Sequence, residues 1–143
     1  MCWYPTTIST CSELLLWLIP IRGRQKAFWI STFSKDITPA VSISGTTLTA
    51  YNDILSRPAP YDLEIVGNST HRVRVTDAVA GATVNGRPTV DLTLDQSVTE
   101  SLANIRRISR LICSRLDTDR VEIEYQGSNV STIAVTCKEI SEP

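Results

Sequence analysis

The chain has 143 residues and a mass of 15.8 kDa, a length that predicts a single domain over residues 1–143. Hydrophobic residues make up 42% and charged residues 20%, with a net charge of -1, which excludes a disordered chain because too much of it is apolar. A sequence pI near 5.8 also argues against a nucleic-acid-binding domain held by bulk positive charge, since such domains commonly have a pI above about 9.

The N-terminal third is predicted to contain the one helix. Residues 1–9 show no period and are expected to form an irregular arm, and residues 10–36 are expected to form the helix and an aromatic strand. Thr10-Cys11-Ser12-Glu13 has the T-x-x-E form of a capping box, so a helix over residues 11–19 is predicted. Pro20 ends it.

The apolar run within this helix, residues 14–21, is about half as long as the roughly 20 residues of a membrane span. Its positive charges, at Arg22, Arg24 and Lys26, follow the run, whereas a signal peptide carries them before it. A buried helix is therefore favoured, and no membrane insertion is expected.

Residues 37–143 are predicted to form a β-rich body, because apolar and polar residues alternate with a period of two in several runs. Turns are predicted at Asn68-Ser69-Thr70 and Asn85-Gly86-Arg87, a loop over residues 53–60, and a helical turn or loop over residues 97–104. The predicted strands are 26–32, 46–51, 61–66, 71–76, 90–94 and 120–126, with a last strand through Ile133, Val135 and Cys137.

Residues 105–116 fit either a helical stripe or a strand with both faces engaged. An extended segment is favoured, because Asp117-Thr118-Asp119 would turn it straight into residues 120–126. One N-terminal α-helix and seven to nine short strands predict a mainly β fold, an antiparallel β-sandwich or an open barrel.

Motifs of catalysis and metal binding are weak in this sequence. The single histidine, His71, is placed beside arginines on the polar side of a strand, where a solvated or interface histidine is favoured over a general base. Cys113 and Cys137 fit small buried apolar residues, and a disulfide between them stays open. No zinc, haem, phosphate-loop or nucleophile-elbow pattern is present in the sequence, so neither a metal nor another cofactor is expected.

Glu122 and Glu124 lie on one side of a predicted strand, within about 7 Å of each other. Paired carboxylates of this kind hydrolyse glycosides, but simple solvation of an outward strand face is favoured here. A basic group is formed by Arg106, Arg107, Arg110 and Arg115, and its field is cancelled by nearby acidic residues. Ion pairing within the fold or with a neighbouring subunit is therefore expected rather than nucleic-acid binding.

Two groups of residues resemble structural proteins of tailed bacteriophages. The first is a helix followed by Arg22-Gly23-Arg24, Phe28-Trp29 and then Asp36. The second is Ile108-Ser109-Arg110-Leu111, followed by a turn and strand that begin Arg115-Leu116-Asp117-Thr118-Asp119-Arg120. Both are similar to segments of the distal tail and tail-tip proteins of long-tailed phages, in the same order.

The chain departs from that pattern in two places. Ser31 stands where those proteins usually carry a proline, and only a few residues precede the helix where they usually carry a longer β-rich region. The resemblance implies a non-catalytic virion component in the tail, a ring or adaptor subunit of the tail tip or baseplate. It implies assembly in the host cytoplasm into a homo-oligomeric ring with other phage tail proteins, without nucleic acid.

The resemblance also assigns structural or interface roles to particular residues. Gly23 would allow a tight reversal between helix and strand, and Phe28 and Trp29 would anchor the helix on the sheet. The full set of candidates is Arg22, Gly23, Arg24, Phe28, Trp29, Asp36, Arg110, Arg115, Asp117, Asp119 and Arg120.

Three other functions are compatible with the sequence. A head-to-tail joining protein would follow the same physics as a tail-tip subunit. A carbohydrate- or host-surface-binding β-module would use Trp3, Trp17 or Trp29 as a sugar-stacking platform, so an exposed Trp29 would favour it. A phage-encoded glycosidase would use Glu122 and Glu124.

Overall fold

A computed structural model of the chain describes residues 15, 16, 18–20, 23–51, 58–125 and 131–141. Residues 15, 16 and 18–20 are helical, and a 3-10 turn follows at Gly23–Gln25. The strands are β1 (Phe28–Ser31), β2 (Ile43–Tyr51), β3 (Tyr61–Val66), β4 (Thr70–Ala80), β5 (Thr89–Glu100), β6 (Arg107–Leu116), β7 (Glu122–Tyr125), β8 (Ser131–Ala134) and β9 (Cys137–Glu139).

Seven of these strands form one antiparallel sheet, in the order β1-β6-β3-β4-β5-β2, with β9 paired to β6. β7 and β8 form a separate two-stranded sheet. The prediction of a mainly β, antiparallel fold with one short helix is therefore confirmed, and over the described residues the strands do not close into a barrel. The capping box at Thr10, the arm at residues 1–9 and most of the loop at 53–60 lie outside the described residues.

The chain divides into two compact units. We call Met1–Ile30 together with Ile112–Pro143 the first unit, and Ser31–Leu111 the second unit. The second unit is built on the alternation predicted from the sequence, which places every other side chain of a strand on one face. Its buried core consists of Ile37, Ile43, Leu48, Ala50, Tyr61, Leu63, Ile65, Val73, Val75, Val90, Leu92, Leu94, Val98 and Ile108.

The prediction of a helical turn or loop over residues 97–104 is wrong for residues 97–100, which belong to β5. This end of β5 pairs with the start of β2, where Ile43 lies opposite Glu100 and Gly45 opposite Val98. Val98 is 1% exposed, so burial and pairing with a distant strand outweigh the local preference of a polar segment. β2 begins at Ile43 rather than at residue 46 for the same reason.

The turn predicted at Asn85-Gly86-Arg87 is confirmed. Asn85 and Gly86 have φ values of 49° and 73°, the paired positive angles of a type I′ turn. Val84 and Arg87 close the turn through reciprocal backbone hydrogen bonds of 3.0 and 2.9 Å.

In the described part of the first unit, the buried side chains of Phe28 and Leu116 pack together with half-buried neighbours that include Leu18 from the helical segment. The extended interpretation of residues 105–116 is confirmed, since Arg107–Leu116 is β6. Cys113 and Cys137 are not joined by a disulfide.

The single last strand predicted through Ile133, Val135 and Cys137 is wrong, because two strands take its place. Ile133 lies in β8 opposite Ile123 of β7, whereas Cys137 lies in β9 opposite Leu116 of β6. The two halves pair with different strands, so the chain must change direction between them. The alternation of apolar and polar residues does not show where one strand ends and the next begins.

Candidate functional site

Arg24 and Asp119 come together in the first unit, although 95 positions separate them in the sequence. The backbone N–H of Arg24 donates to Oδ1 of Asp119 at 2.8 Å, and the Arg24 Nε lies 3.6 Å from Oδ2. Gly23 begins the 3-10 turn that presents this N–H, and Arg22 lies outside the described residues. The contact ties the turn after the helix to the turn after β6.

Phe28 and Trp29 lie in β1, where they are 0% and 8% exposed. Both are therefore packed in the interior, as an anchoring role requires. The burial of Trp29 counts against its use as a sugar-stacking platform, which needs an open aromatic face. Trp3 and Trp17 lie outside the described residues.

Asp36 and Arg110 meet through the backbone of Arg110 rather than through its guanidinium. The Arg110 N–H donates to Oδ2 of Asp36 at 2.8 Å, and the Thr32 hydroxyl donates to the same oxygen. The Asp36 N–H in turn donates to the carbonyl of Ile108 at 3.0 Å. Asp36 thus fastens the segment after β1 along β6.

The remaining predicted residues are exposed in the first unit. Arg120 forms an ion pair with Glu122, its Nη2 lying 2.9 Å from Oε1, and the two side chains are 82% and 74% exposed. Arg115 and Asp117 are exposed and take part in no ion pair with any residue that the structure describes. These residues leave charge on the surface.

An ionic network lies on the face of β3, β4 and β6 opposite the core. Its Arg107 pair confirms the expected ion pairing within the fold, whereas the carboxylate partners of the arginines were not predicted. The carboxylate of Glu64 lies between Nη2 of Arg107, at 2.8 Å, and Nε of Arg72, at 3.7 Å. Arg74 donates to both carboxylate oxygens of Asp62, at 3.1 and 3.0 Å. The alternation of charge was visible in the sequence, but the pairing depends on the register that sets Glu64 opposite Arg72 and Asp62 opposite Arg74.

Glu100 is a second buried carboxylate, with a side chain 4% exposed. It accepts hydrogen bonds from the backbone N–H groups of Ser69, at 3.1 Å, and Asn68, at 3.3 Å, and lies 3.3 Å from Nε2 of His71. The Ser69 N–H bond is the main cause of a lowered pKa for this carboxyl, opposed by burial and reinforced by Asn68 and His71. A Cβ at Gly67 would come within 2.7 Å of the carboxylate, so a larger residue here would displace the Glu100 side chain from this position.

The predicted position of His71 on the polar side of its strand is wrong. His71 shares a face with Val73 and Val75, because side chains two residues apart in a strand point the same way. It is half-buried and contacts Glu100 rather than the arginines.

The loop after β1 presents an exposed aromatic side chain. Phe33 is 66% exposed and has a φ of 57°, a left-handed conformation that bulky L residues rarely adopt. Its N–H donates to Oγ of Ser31 at 3.1 Å, and the carbonyl of Ser34 accepts from Oγ of Ser109 at 2.6 Å. The guanidinium of Arg107 lies 5.0 Å from the ring centroid. The two hydrogen bonds fix the loop before and after Phe33, whose ring remains exposed to water.

A groove of about 550 Å³ lies on the β7–β8 sheet, lined by residues 120–124 together with Thr132 and Ala134. Glu122 and Glu124 lie on one side of β7, as predicted, and both are exposed. A glycosidase needs one carboxylic acid that is shielded from water. Glu122 and Glu124 are both exposed, so neither has the shielded environment of such an acid.

Within the part of the chain that the structure describes, no three His, Cys, Asp or Glu side chains are grouped to hold a metal ion. None of the described helical residues belongs to a helix long and apolar enough to cross a membrane. No protein family model matches the chain, and no curated protein matches it either.

Proposed function

We propose that the chain is a non-catalytic structural subunit of a bacteriophage tail, located in the tail tip or baseplate as a ring or adaptor component. It would assemble in the host cytoplasm with copies of itself and with other tail proteins. The observation that carries this proposal is the contact between Arg24 and Asp119.

That contact matters because the two residues belong to the two groups that resemble phage tail proteins. Arg24 lies in the R-G-R turn and Asp119 in the turn that opens the closing hairpin. Each motif is short, and each alone has little specificity. A direct hydrogen bond of 2.8 Å between them supports the interpretation that they form one structural feature rather than two chance matches.

Exposed apolar side chains further support a subunit that is covered by neighbours. Leu16 and Ile19 in the helical segment are 68% and 70% exposed. Soluble monomers seldom expose neighbouring large apolar side chains, whereas assembled subunits bury them at contacts.

The location of the chain in purified virions tests the proposal. Particles of the phage that encodes it are purified, analysed by mass spectrometry, and labelled with gold-conjugated antibodies against the chain. We expect label at the tail end remote from the head. Label at the neck would contradict the tail-tip location in favour of a head-to-tail joining protein, and presence in infected lysate with absence from particles would contradict a virion role altogether.

A further inference from the structure

The turn between β4 and β5 places an exposed asparagine directly before an exposed glycine. Asn85 and Gly86 have the paired positive φ values of 49° and 73° at the tip of this hairpin. The side-chain amide carbon of an asparagine can be attacked by the backbone nitrogen of the next residue. Glycine hinders that attack least because it has no Cβ. In a folded chain the reaction then depends on how firmly the attacking nitrogen is held.

The backbone nitrogen of Gly86 is left accessible. Val84 and Arg87 close the turn through their own N–H and carbonyl groups, and the Gly86 N–H donates to no group in the part of the chain that the structure describes. A Cβ built at Gly86 would have no heavy atom within 4 Å beyond the adjoining residues, so the surrounding space is open. This nitrogen can therefore attack without first breaking a hydrogen bond of its own.

Asn68, in the turn between β3 and β4, offers a matched comparison. It is exposed like Asn85, but the N–H of the following Ser69 donates to the buried Glu100 carboxylate at 3.1 Å. A hydrogen bond to a charged acceptor is stronger than one between neutral groups. The attacking nitrogen is thus held in this turn, and the structure should protect Asn68 where it does not protect Asn85.

Asn104 is protected in a similar way. The N–H of the following Ile105 donates to the carbonyl of Ser101 at 3.3 Å. Ile105 also carries a branched side chain, which hinders attack by its nitrogen. Of these three asparagines, only Asn85 precedes a nitrogen that is both unhindered and without a hydrogen bond to a described residue.

We propose that Asn85 is a site of spontaneous deamidation in the folded chain, with water as the co-reactant. The Gly86 nitrogen forms a bond to Cγ of Asn85, the bond from Cγ to Nδ2 breaks, and ammonia leaves with the proton of the Gly86 N–H. Water then opens the resulting cyclic imide at either carbonyl, which yields aspartate or isoaspartate. The reaction is independent of the proposed tail function, because it needs only this turn and water.

The product changes the charge and the contacts of the hairpin tip. Asn85 Nδ2 donates to the Tyr51 hydroxyl at 3.3 Å, and the Arg87 guanidinium lies 4.2 Å from the centroid of the same ring. A carboxylate cannot donate this hydrogen bond, and it adds negative charge two residues before a cation. Isoaspartate also lengthens the main chain by a methylene group, which disturbs the reciprocal hydrogen bonds of Val84 and Arg87.

Peptide mapping by mass spectrometry tests the site. The full-length chain is incubated at neutral pH, either folded or in guanidinium chloride, and is then digested with pepsin at acidic pH, which slows further deamidation. For each asparagine the rate in the folded chain is divided by the rate in denaturant, which removes the effect of local sequence. We expect this ratio to be at least about tenfold higher for Asn85 than for Asn68, as a hydrogen bond to a charged acceptor predicts. A ratio for Asn85 no higher than that for Asn68 would overturn the proposal.

Two variants sharpen the assignment. Glu100→Ala removes the acceptor of the Ser69 N–H, so the rate at Asn68 should rise in the folded chain while that at Asn85 stays the same, with circular dichroism to verify the fold. An unchanged rate at Asn68 would contradict the protective role of this hydrogen bond. In Asn85→Gln the longer side chain disfavours the cyclic imide, so the mass gain of the peptide that holds the turn should disappear. Persistence of that gain would place the reaction at another residue.

Discussion

In the second unit the side chains of Glu64 and Glu100 are only 9% and 4% exposed, whereas in the first unit those of Asp119 and Glu122 are 66% and 74% exposed. Burial of a carboxylate is unfavourable unless hydrogen bonds and opposite charges compensate for the lost water. The second unit supplies both, through guanidinium groups on neighbouring strands and backbone N–H groups in a turn.

The ion pairs of the two units differ in the same direction. Glu64 of the second unit pairs with Arg72 and Arg107, whose side chains are about one-third exposed or less. Asp119 and Glu122 of the first unit pair with Arg24 and Arg120 at the surface, where water screens such pairs and leaves them little stabilising effect. The second unit thus uses its ion pairs to join neighbouring strands, whereas the described ion pairs of the first unit lie in water.

Glu64→Ala should have the largest effect and tests this comparison most severely. Loss of the carboxylate leaves Arg72 and Arg107, which are 31% and 28% exposed, facing each other with less compensating charge. We expect the free energy of unfolding to fall by about 2–3 kcal/mol, less than the roughly 3–5 kcal/mol for a fully buried pair, because water screens these guanidiniums in part.

Urea denaturation followed by far-ultraviolet circular dichroism, which reports on the strands of both units, measures this loss. Glu124→Ala is the matched control, and it should change the free energy of unfolding by less than about 0.5 kcal/mol, as expected for a surface position. Equal losses for the two variants would show that the units do not differ in this respect.

Glu100 should make stability depend on pH. Because its pKa is lowered in the folded state, its contribution is complete above the ordinary value of about 4.5 and is lost as pH falls through the folded pKa. Glu100→Gln should be less stable than the parent at pH 7, and its stability should fall less steeply below pH 4.5. Thermal unfolding between pH 2.5 and 7 checks this, with Glu122→Gln as the control for the loss of an exposed carboxylate.

Phe33 lies in the second unit, but its side chain is exposed and its backbone is strained. Its replacement should therefore stabilise the chain. Asn tolerates the left-handed conformation that Phe33 holds at a φ of 57°, so Phe33→Asn should raise the free energy of unfolding by up to about 1 kcal/mol. Gly86→Ala, at a φ of 73°, should lower it by about 1 kcal/mol through the same rule. If the Phe33→Asn variant unfolded more easily than the parent, the prediction would be wrong, and the Phe33 side chain would stabilise the folded chain.

The sequence predicted those parts of the fold that depend on local periodicity. The alternation in Tyr61–Val66 placed Leu63 and Ile65 in the core, and the residues Asn85 and Gly86 predicted their turn. Prediction from the sequence failed where the structure of a segment depends on the strand with which it pairs. Three of the four residues at 97–100 are polar, which locally favours a loop, but the segment forms a strand because it pairs with the start of β2 at Ile43 and Gly45.

Among the candidate site residues, too, only arrangements that depend on local periodicity could be predicted from the sequence. Same-side placement of Glu122 and Glu124 follows from a period of two, so it was predictable. The contact of Glu100 with Ser69 and His71 joins residues about thirty positions apart, and only strand order and register bring them together. Phe33 is exposed and has a positive φ, and an aromatic residue gives no sign of either property in the sequence.

The smallest expected effects concern Arg24 and Asp119, and they separate a backbone contact from an ion pair. Asp119→Ala removes the acceptor of the Arg24 backbone N–H, so we expect a loss of about 1 kcal/mol in the free energy of unfolding. Arg24→Ala keeps that hydrogen bond and removes only a side-chain pair that is 57% and 66% exposed, so it should cost less than about 0.5 kcal/mol. In the double variant the loss should equal that of Asp119→Ala alone, because the guanidinium has no further role once the carboxylate is gone. A larger loss for Arg24→Ala than for Asp119→Ala would mean that the ion pair, and not the backbone bond, joins the two turns.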